Sequence, residues 1–248
     1  MIAKLKLKAR RTASRLVNKW ALVQLDSAKR HLITEIKMRK LTYLSERKLA
    51  SIVNSINEIE TLKLEGAFIE AGCALGGSSI LIAKTKSTQR PQLVYDVFGM
   101  IPPPTDEDSD DVHRRYQNIL KGDSVGIEGD KYYGYENDLI TIVQGNFERF
   151  GVDLEERSVR LIKGLVQDTL LVDGAVSFAH IDVDWYDPVM TCLERIYPKL
   201  VVGGCIILDD YMDWGGCRKA TDEYLKKVAG TFRLDDRSGA LKIIRTSK

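Results

Sequence analysis

Acidic residues follow two apolar runs, at the point where each run ends. The segment Asp182–Asp184 comes directly after Val176–Ile181, and the pair Asp209–Asp210 follows Cys205–Leu208. Runs of small and β-branched residues of this length are typical of buried parallel strands. Open α/β sheets bind ligands at the carboxyl ends of such strands. Four carboxylates meeting there would repel one another, so we expect Mg²⁺ between them, a hard cation that takes oxygen ligands and leaves positions open for substrate.

These aspartates also have a simpler interpretation. An aspartate at the end of a strand often only caps the helix that follows. Because two such pairs occur, after strands that we expect to be neighbours, a ligand site is the favoured interpretation.

His180 could also take part in the chemistry. It lies two residues before Asp182 on the same predicted strand, so both side chains point to one face of the sheet. It could therefore reach the site as a base or as a substrate contact. A single histidine on a buried strand is also commonly a hydrogen-bonded core residue. We favour Asp184 as the base and keep His180 as the alternative.

A glycine-rich turn, Gly72–Ser78, follows the first predicted strand. The backbone N–H groups of this turn, and the N-terminus of the helix that follows it, favour the binding of an anionic group of a ligand. The pattern is not G-x-G-x-x-G, so the dinucleotide signal is weak on its own. Asp96 ends the next strand, where Rossmann-like folds place the carboxylate that binds ribose hydroxyls. Together they predict a nucleoside-containing cofactor, and Glu70 would suit its cationic amino group or hold the loop.

Predicted strands and helices alternate along the rest of the chain. The strands are Ala67–Glu70, Gln92–Asp96, Val159–Ile162, Val176–Ile181 and Cys205–Leu208, with a terminal hairpin of Thr231–Leu234 and Ala240–Ile244. The helices are Ser79–Lys84, Asn137–Phe150, Gln167–Leu171, Pro188–Tyr197 and Cys217–Val228. This alternation predicts an α/β fold with a doubly wound sheet, into which the terminal hairpin inserts an antiparallel strand.

Two segments stand outside this alternation. Residues 1–62 form a helical region that we expect to precede and partly cover a catalytic domain of residues 63–248. Within that domain, residues 99–135 are rich in Pro, Asp and Gly, contain a short predicted helix at Asp111–Leu120, and have the length of a functional lid. The tyrosines of this insertion argue against plain disorder and are candidate substrate contacts: Tyr116, Tyr132, Tyr133 and Tyr135.

The charge of +2 for the whole chain hides an uneven distribution. The first 48 residues hold 14 Lys and Arg against three acidic residues, a surplus of 11, so the remainder carries about −9. The basic arm Lys4–Arg11 could lie on anionic lipid or pack on the acidic surface of another subunit. We expect a homo-oligomer with possible peripheral membrane contact, and no nucleic-acid partner because aromatic residues are sparse in the arm.

Composition and cysteine usage indicate the compartment. The 248 residues, 44% of them apolar, suffice for one α/β domain with an appendage. The four cysteines form no C-x-x-C pair, and Cys192 and Cys205 lie in apolar runs, which predicts buried thiols in a reducing environment. No signal peptide or membrane-spanning run is apparent. The expected location is cytoplasmic, with a possible peripheral attachment to the membrane.

From about Ser45 to Ile244 the chain resembles the macrocin O-methyltransferase (TylF-like) family. These are class I S-adenosylmethionine-dependent enzymes that methylate sugar hydroxyls with Mg²⁺. The segments that carry the resemblance are Phe68–Ser78, Lys163–Leu170, His180–Tyr186 and Asp209–Glu223. The last two are specific in combination.

The resemblance implies a seven-stranded methyltransferase sheet with an antiparallel last strand, and it implies roles for individual residues. Those expected to hold the methionine part of S-adenosylmethionine are Glu70, Gly72, Gly77 and Ser78. Asp96 would take the ribose, and Gly164 would lie near the adenine. Asp182, which would also lie beside the cofactor, matches a metal ligand together with Asp209 and Asp210. Asp184 matches the proposed general base.

This chemistry is reasonable for a sugar hydroxyl, whose pKa is far above neutrality. A bound cation lowers that pKa and orients the acceptor, and a nearby carboxylate accepts the proton. Aromatic residues beside the acidic clusters could stack on a sugar ring: Trp185, Tyr186, Tyr211 and Trp214. Three basic residues could meet a phosphate of a nucleotide sugar: Lys163, Arg218 and Lys219.

Three other functions remain open from the sequence. A catechol-like phenol could replace the sugar under the same metal chemistry. An NAD-dependent oxidoreductase would use the glycine turn and Asp96 but leave the strand-end aspartates unexplained. A non-catalytic membrane or scaffold module would use the basic arm.

Overall fold

The computed structural model describes residues 22–247 and is built on a seven-stranded sheet of order β3-β2-β1-β4-β5-β7-β6. The strands are β1 (Ala67–Ala71), β2 (Gln92–Asp96), β3 (Val159–Lys163), β4 (Val176–Ile181), β5 (Leu200–Leu208), β6 (Phe232–Asp235) and β7 (Leu241–Arg245). The helices are α1 (Ser27–Met38), α2 (Glu46–Thr61), α3 (Gly77–Ala83), α4 (Asp110–Leu120), α5 (Leu139–Arg149), α6 (Val166–Thr169), α7 (Tyr186–Ile196) and α8 (Gly215–Lys227).

Strands β1 to β5 run parallel to one another, and β7 is antiparallel to both β5 and β6. The doubly wound sheet with an antiparallel last strand is therefore confirmed. In the pairing of β4 with its two neighbours, His180 lies opposite Glu70 of β1 and Ile207 of β5. The carboxyl ends of β1, β4 and β5 consequently meet at one edge, where the glycine turn and both acidic segments begin.

Helices cover both faces of the sheet. One core contains buried side chains of α1, α2, α3 and α5 packed against Phe68 and Phe178 of the sheet. The other contains side chains of α6, α7 and α8 packed against Ala179, Ile181 and Ile206. Alternate residues of β4 face opposite cores, as expected for a strand buried on both sides. Helices α1 and α2 thus share a core with the sheet.

The N-terminal helices that the structure describes begin with ordinary caps. The Asp26 side chain accepts the N–H of Lys29 before α1, and Ser45 Oγ accepts the N–H of Lys48 at 3.3 Å before α2. The predicted helical residues from Arg11 to Trp20 and the basic arm Lys4–Arg11 lie outside the described residues. Within residues 22–247, no helix has the length and apolar character needed to span a membrane.

Strand β5 begins at Leu200, five residues before the predicted start. The sequence pattern hides this extension because Gly203 and Gly204 interrupt the apolar run. The pairing of β4 with β5 shifts between Val176 and Phe178, which accommodates the glycines as an irregularity in the ladder. All four cysteines are buried free thiols, as the sequence predicts for Cys192 and Cys205.

Residues 99–135 form a folded insertion that packs on the carboxyl edge of the sheet. It contains α4 and two short 3₁₀ turns, Ile127–Gly129 and Tyr133–Tyr135. Trp185 Nε1 donates to the carbonyl oxygen of Pro102 at 2.9 Å, and Asp108 Oδ1 accepts the N–H of Tyr186 at 2.8 Å. These two hydrogen bonds attach the start of the insertion to the segment that follows β4.

Candidate active site

A cavity of about 380 Å³ opens at the carboxyl edge of the sheet. The turns after β1, β2, β3, β4 and β5 each contribute to its lining. The insertion and the segment before α2 form the remaining wall. This is the position in which open α/β sheets bind their ligands.

Carboxylates from two neighbouring strands meet in this cavity. Oxygen atoms of Asp182, Asp184 and Asp210 lie within 4.8 Å of one another. Oxygen atoms of Asp209, Asp210 and Asp213 form a second group within the same distance. Burial, together with the charge of Asp209, raises the pKa of Asp182 to about 7. Burial and Asp209 raise the pKa of Asp184 to about 6 although Arg115 opposes the shift. Burial and the neighbouring aspartates raise the pKa of Asp210 well above its usual range.

Lys48 of α2 supplies a positive charge to one side of the cluster. Its Nζ lies 2.9 Å from Asp209 Oδ2 and 3.1 Å from Asp213 Oδ2, and it also donates to the main-chain oxygen of Asp209. Burial alone would lower the pKa of Lys48, but the two carboxylates raise it. The other carboxylate oxygen of Asp209, Oδ1, is buried without a hydrogen-bond partner among the described residues. Asp209 therefore differs from Asp182, Asp184 and Asp210 in having a lysine counter-ion, which it shares with Asp213.

Asp184 lines the cavity on a constrained backbone. Its φ of +56° lies in the left-handed region, which is uncommon for residues other than glycine. Its N–H donates to Asp210 Oδ2 at 3.3 Å. Such strain is found at functional sites where the surrounding structure fixes the conformation. Here the hydrogen bond to Asp210 holds the main chain of Asp184 in place.

His180 is completely buried and does not line the cavity. Its Nδ1 lies 3.1 Å from Glu70 Oε1, and Ser79 Oγ donates to the other oxygen of Glu70. Burial would lower the pKa of His180, but the hydrogen bond and charge of Glu70 raise it overall. His180 Nε2 is buried without a partner in the part of the chain that the structure describes. The structure therefore gives His180 the surroundings of a hydrogen-bonded core residue.

The predicted cofactor residues fall into two sets. Gly72, Asp96, Gly164 and Asp182 line the cavity, whereas Glu70, Gly77 and Ser78 are buried outside its lining. Gly77 instead packs against the segment before α2, where its N–H donates to the main-chain oxygen of Leu41.

Gly72 holds the turns after β1 and β4 together at close range. Its φ is +82°, and a Cβ there would lie 1.9 Å from the main-chain oxygen of Asp182. No other residue type fits this position without moving the backbone.

The carboxylate of Asp96 holds the glycine turn against the end of β2. Its oxygens accept the N–H groups of Cys73 and Phe98, each at 2.7 Å. Burial raises the pKa of Asp96 in spite of these hydrogen bonds.

The aromatic and basic candidates are only partly brought to the cavity. Trp185 and Trp214 line it and contact each other edge to face, with ring centroids 6.0 Å apart. The hydroxyls of Tyr186 and Tyr211 donate to acidic residues of α8 instead. The basic residues Lys163, Arg218 and Lys219 do not line the cavity; Arg218 donates to two main-chain oxygens, and Lys219 pairs with Glu107.

The insertion and the segment before α2 bring further side chains to the cavity. Tyr132 and Tyr133, two of the predicted lid tyrosines, line it, and Tyr43 packs against Tyr133 with centroids 6.0 Å apart. The lining also includes Lys48 and Arg115. Sequence reasoning missed Tyr43, Lys48 and Arg115, because each lies far from the strand-end motifs and carries no spacing signal of its own.

Known proteins resemble this chain over most of its length. The family model described as macrocin-O-methyltransferase (TylF) matches residues 2–234. The demethyldecarbamoylnovobiocin O-methyltransferase of Streptomyces niveus is 28% identical over 208 residues, which cover 80% of this chain and 73% of that protein. The 8-demethyl-8-(2,3-dimethoxy-alpha-L-rhamnosyl)-tetracenomycin-C 4'-O-methyltransferase of Streptomyces olivaceus is 26% identical over 193 residues, 74% of this chain and 67% of that protein.

A solved structure with a closely related fold is that of the O-methyltransferase NovP. It superposes with a TM-score of 0.68 at 25% identity, over 83% of this chain and 82% of that one.

Proposed function

The chain belongs to the macrocin-O-methyltransferase (TylF) family, and we propose that it methylates a sugar hydroxyl of a natural product or surface glycan with the help of Mg²⁺. Membership makes it an S-adenosylmethionine-dependent O-methyltransferase. An NAD-dependent oxidoreductase and a non-catalytic module are thereby excluded. The acceptor, the metal and the roles of individual residues are the parts that we propose.

The sugar acceptor is supported by the relatives and by the walls of the cavity. The Streptomyces olivaceus enzyme is named for the 4' position of a compound that carries a rhamnosyl group. In the present chain, Tyr132, Trp185 and Trp214 line the cavity beside the aspartates. Flat aromatic faces with a few polar groups suit a ring that has an apolar face and several hydroxyls.

The acidic cluster supports the use of Mg²⁺, and it is the observation on which the proposal depends most. Three carboxylates within 4.8 Å of one another have pKa values raised by burial and mutual repulsion, which a cation among them would offset. All available donors are oxygen atoms, the ligands that Mg²⁺ prefers. Asp182 and Asp210 would hold the ion, with Asp209 as the third expected ligand. When bound, the ion lowers the pKa of an acceptor hydroxyl.

Asp184 is the residue that we assign as the general base. It lies in the cavity lining, and its main chain is fixed by the hydrogen bond to Asp210. A carboxylate with a pKa of about 6 is ionised at neutral pH, so one of its oxygens can take the proton from the acceptor hydroxyl. His180 is less suited to this role because it is buried outside the cavity lining.

The glycine turn and its surroundings would bind S-adenosylmethionine, whose sulfonium carries the methyl group. Gly72 allows the main chains after β1 and β4 to approach each other, and Gly164 adds backbone without a side chain at the end of β3. Each oxygen of Asp96 accepts one N–H and retains a lone pair for a ribose hydroxyl. These contacts would orient the cofactor so that the acceptor oxygen can approach the methyl carbon in line with the sulfur.

The proposal is tested by methyl transfer from a labelled donor to a panel of acceptors. The panel contains glycosides, nucleotide sugars and catechols, each assayed in Mg²⁺ and after exhaustive chelation. We expect transfer to a sugar hydroxyl that requires restored Mg²⁺. Methyl transfer to catechols alone would show that the acceptor is a phenol and not a sugar. A rate of methyl transfer that survives chelation would exclude the proposed requirement for Mg²⁺.

A further inference from the structure

Arg115 of α4 brings a guanidinium group to the wall of the cavity formed by the insertion. Its Nη1 donates to Ser124 Oγ at 2.9 Å, and its Cζ lies 5.5 Å from the centroid of the Tyr132 ring. The hydroxyl and the ring fix the orientation of the side chain, which is partly buried.

Most of the hydrogen-bond donors of Arg115 have no acceptor among the described residues. A guanidinium has five N–H groups, and one of them is used by Ser124. Within residues 22–247, no carboxylate lies within ion-pair distance of Arg115. Two other partly buried arginines have more protein partners: Arg90 pairs with Glu60, and Arg195 donates to three main-chain oxygens.

The other cation in the lining is already committed. Lys48 contacts Asp209 twice and Asp213 once, which accounts for its three donors. Arg115 is therefore the cation of the described lining that retains donors directed to no protein acceptor. A planar guanidinium on an aromatic wall matches the two oxygens of a carboxylate or phosphate, and partial exclusion of water strengthens the pairing.

We propose that Arg115 binds an oxyanion of the acceptor, so that the substrates are acidic sugars that carry a carboxylate or a phosphate. The inference rests on the proposed sugar methylation and specifies its substrate class. The aspartates at the strand ends repel such an anion, whereas Arg115 attracts it to the wall formed by the insertion. The acceptor is thereby oriented with its anionic group on the insertion and a hydroxyl towards Asp184.

A different result is expected if Arg115 acts only through its charge on Asp184 and does not bind the acceptor. Arg115 is the strongest positive influence on Asp184, whose pKa it lowers. If Arg115 acted only by keeping Asp184 ionised, its loss would slow the reaction of every acceptor in the same proportion. If it binds the acceptor, its loss affects mainly acidic acceptors and appears in KM.

The test compares matched acceptors with full-length protein and a labelled methyl donor. Methyl glucuronide and glucose 1-phosphate represent the carboxylate and phosphate sources, and methyl glucoside is the neutral reference. The variants are Arg115→Gln and Arg115→Lys, with Arg114→Gln as the control because Arg114 is the exposed neighbour outside the cavity lining.

We expect the wild type to favour at least one acidic acceptor over methyl glucoside by about tenfold or more in kcat/KM. Arg115→Gln should remove that preference by raising KM about tenfold with little change in kcat, Arg115→Lys should keep part of it, and Arg114→Gln should keep it all. The acidic acceptor that responds identifies the oxyanion.

Two results would overturn the inference while sparing sugar methylation: a wild type without preference for acidic acceptors, or an equal loss on acidic and neutral acceptors in Arg115→Gln. Failure of all three sugars, in protein that still binds S-adenosylhomocysteine, would instead reject the proposed function and this inference with it.

Discussion

Lys48 Nζ lies 2.9 Å from Asp209 Oδ2, and this ion pair joins α2 to the carboxyl end of β5. The Lys48 side chain is 14% exposed and that of Asp209 is 10% exposed, so water screens the pair only weakly. The same ammonium contacts Asp213 at 3.1 Å. A helix outside the strand-end motifs therefore provides the counter-ion for two aspartates of the acidic cluster.

Replacement of Lys48 should destabilise the protein. Lys48→Met leaves Asp209 without its counter-ion beside carboxylates that it already repels. We expect the free energy of unfolding to fall by roughly 2–3 kcal/mol, less than for a fully buried pair because both side chains retain some contact with water. Urea denaturation measures the loss, and added Mg²⁺ should restore part of it.

Two variants control for effects other than loss of this pair. Lys48→Arg keeps the positive charge and should retain most of the stability. Lys226→Met removes an exposed lysine of α8 and should change the free energy of unfolding by less than about 0.5 kcal/mol. Equal losses in Lys48→Met and Lys226→Met would contradict the assigned importance of the ion pair.

Asp184→Asn should stop turnover without weakening the cofactor site. The amide keeps the shape of the side chain but cannot take a proton at neutral pH, so kcat should fall by about 10²–10⁴-fold. Calorimetric titration with S-adenosylhomocysteine should give an unchanged affinity. Asp173→Asn, a carboxylate before β4 and outside the cavity lining, is the control and should keep the full rate. A near-normal rate in Asp184→Asn, with loss of rate in His180→Ala, would show that the base has been wrongly assigned.

The acidic cluster should make the metal-free protein less stable as the pH rises. The pKa values of Asp182 and Asp184 are about 7 and about 6, and that of Asp210 is also raised. A carboxyl whose pKa is higher in the folded than in the unfolded chain binds more protons when folded, so its stabilisation is lost as the pH rises between the two values. In EDTA, this contribution should lower Tm by several degrees from about pH 5 to about pH 8.

Asp210→Asn and Mg²⁺ provide the comparisons for this pH dependence. The variant should show a smaller fall in Tm because one of the repelling carboxyls is absent, and Mg²⁺ should reduce the fall in the wild type because a cation favours the ionised forms. An identical slope in the wild type and in Asp210→Asn would place the pH dependence outside the cluster.

The part of the site that depends on strand ends could be predicted from the sequence. Apolar runs specify the strands, their order of alternation with helices specifies a parallel sheet, and the residue after each run must then lie at the ligand-binding edge. Asp182, Asp184 and Asp210 meet in one cavity for this reason. The terminal hairpin was predictable from its turn residues, and β7 indeed pairs antiparallel with β5.

The part that depends on long-range side-chain contacts could not be predicted. Lys48 precedes Asp209 by 161 residues, and Arg115 lies on a helix of the insertion whose docking is set by hydrogen bonds such as that of Trp185 to Pro102. Neither residue belongs to a periodic pattern that marks its destination. Glu70 shows the same limit, because only the register of β1 against β4 reveals that it faces His180.

Gly72→Ala should disable the cofactor site through the backbone. A methyl group at this position, with φ of +82°, would lie 1.9 Å from the main-chain oxygen of Asp182, so the turns after β1 and β4 would have to separate. Gly122→Ala is a matched control, because Gly122 has φ of +78° and a methyl group added there would have nothing within 4 Å among the described residues. Both variants incur the left-handed strain of about 1–2 kcal/mol.

We expect Gly72→Ala alone to lose roughly a further 2 kcal/mol of unfolding free energy, because the added methyl group must displace packed backbone. The same variant should bind S-adenosylhomocysteine at least about tenfold more weakly, since a separation of the two turns reshapes the floor of the cavity. Urea denaturation and calorimetric titration measure the two effects. Equal behaviour of Gly72→Ala and Gly122→Ala in both measurements would show that the close approach at Gly72 does not shape the cofactor site.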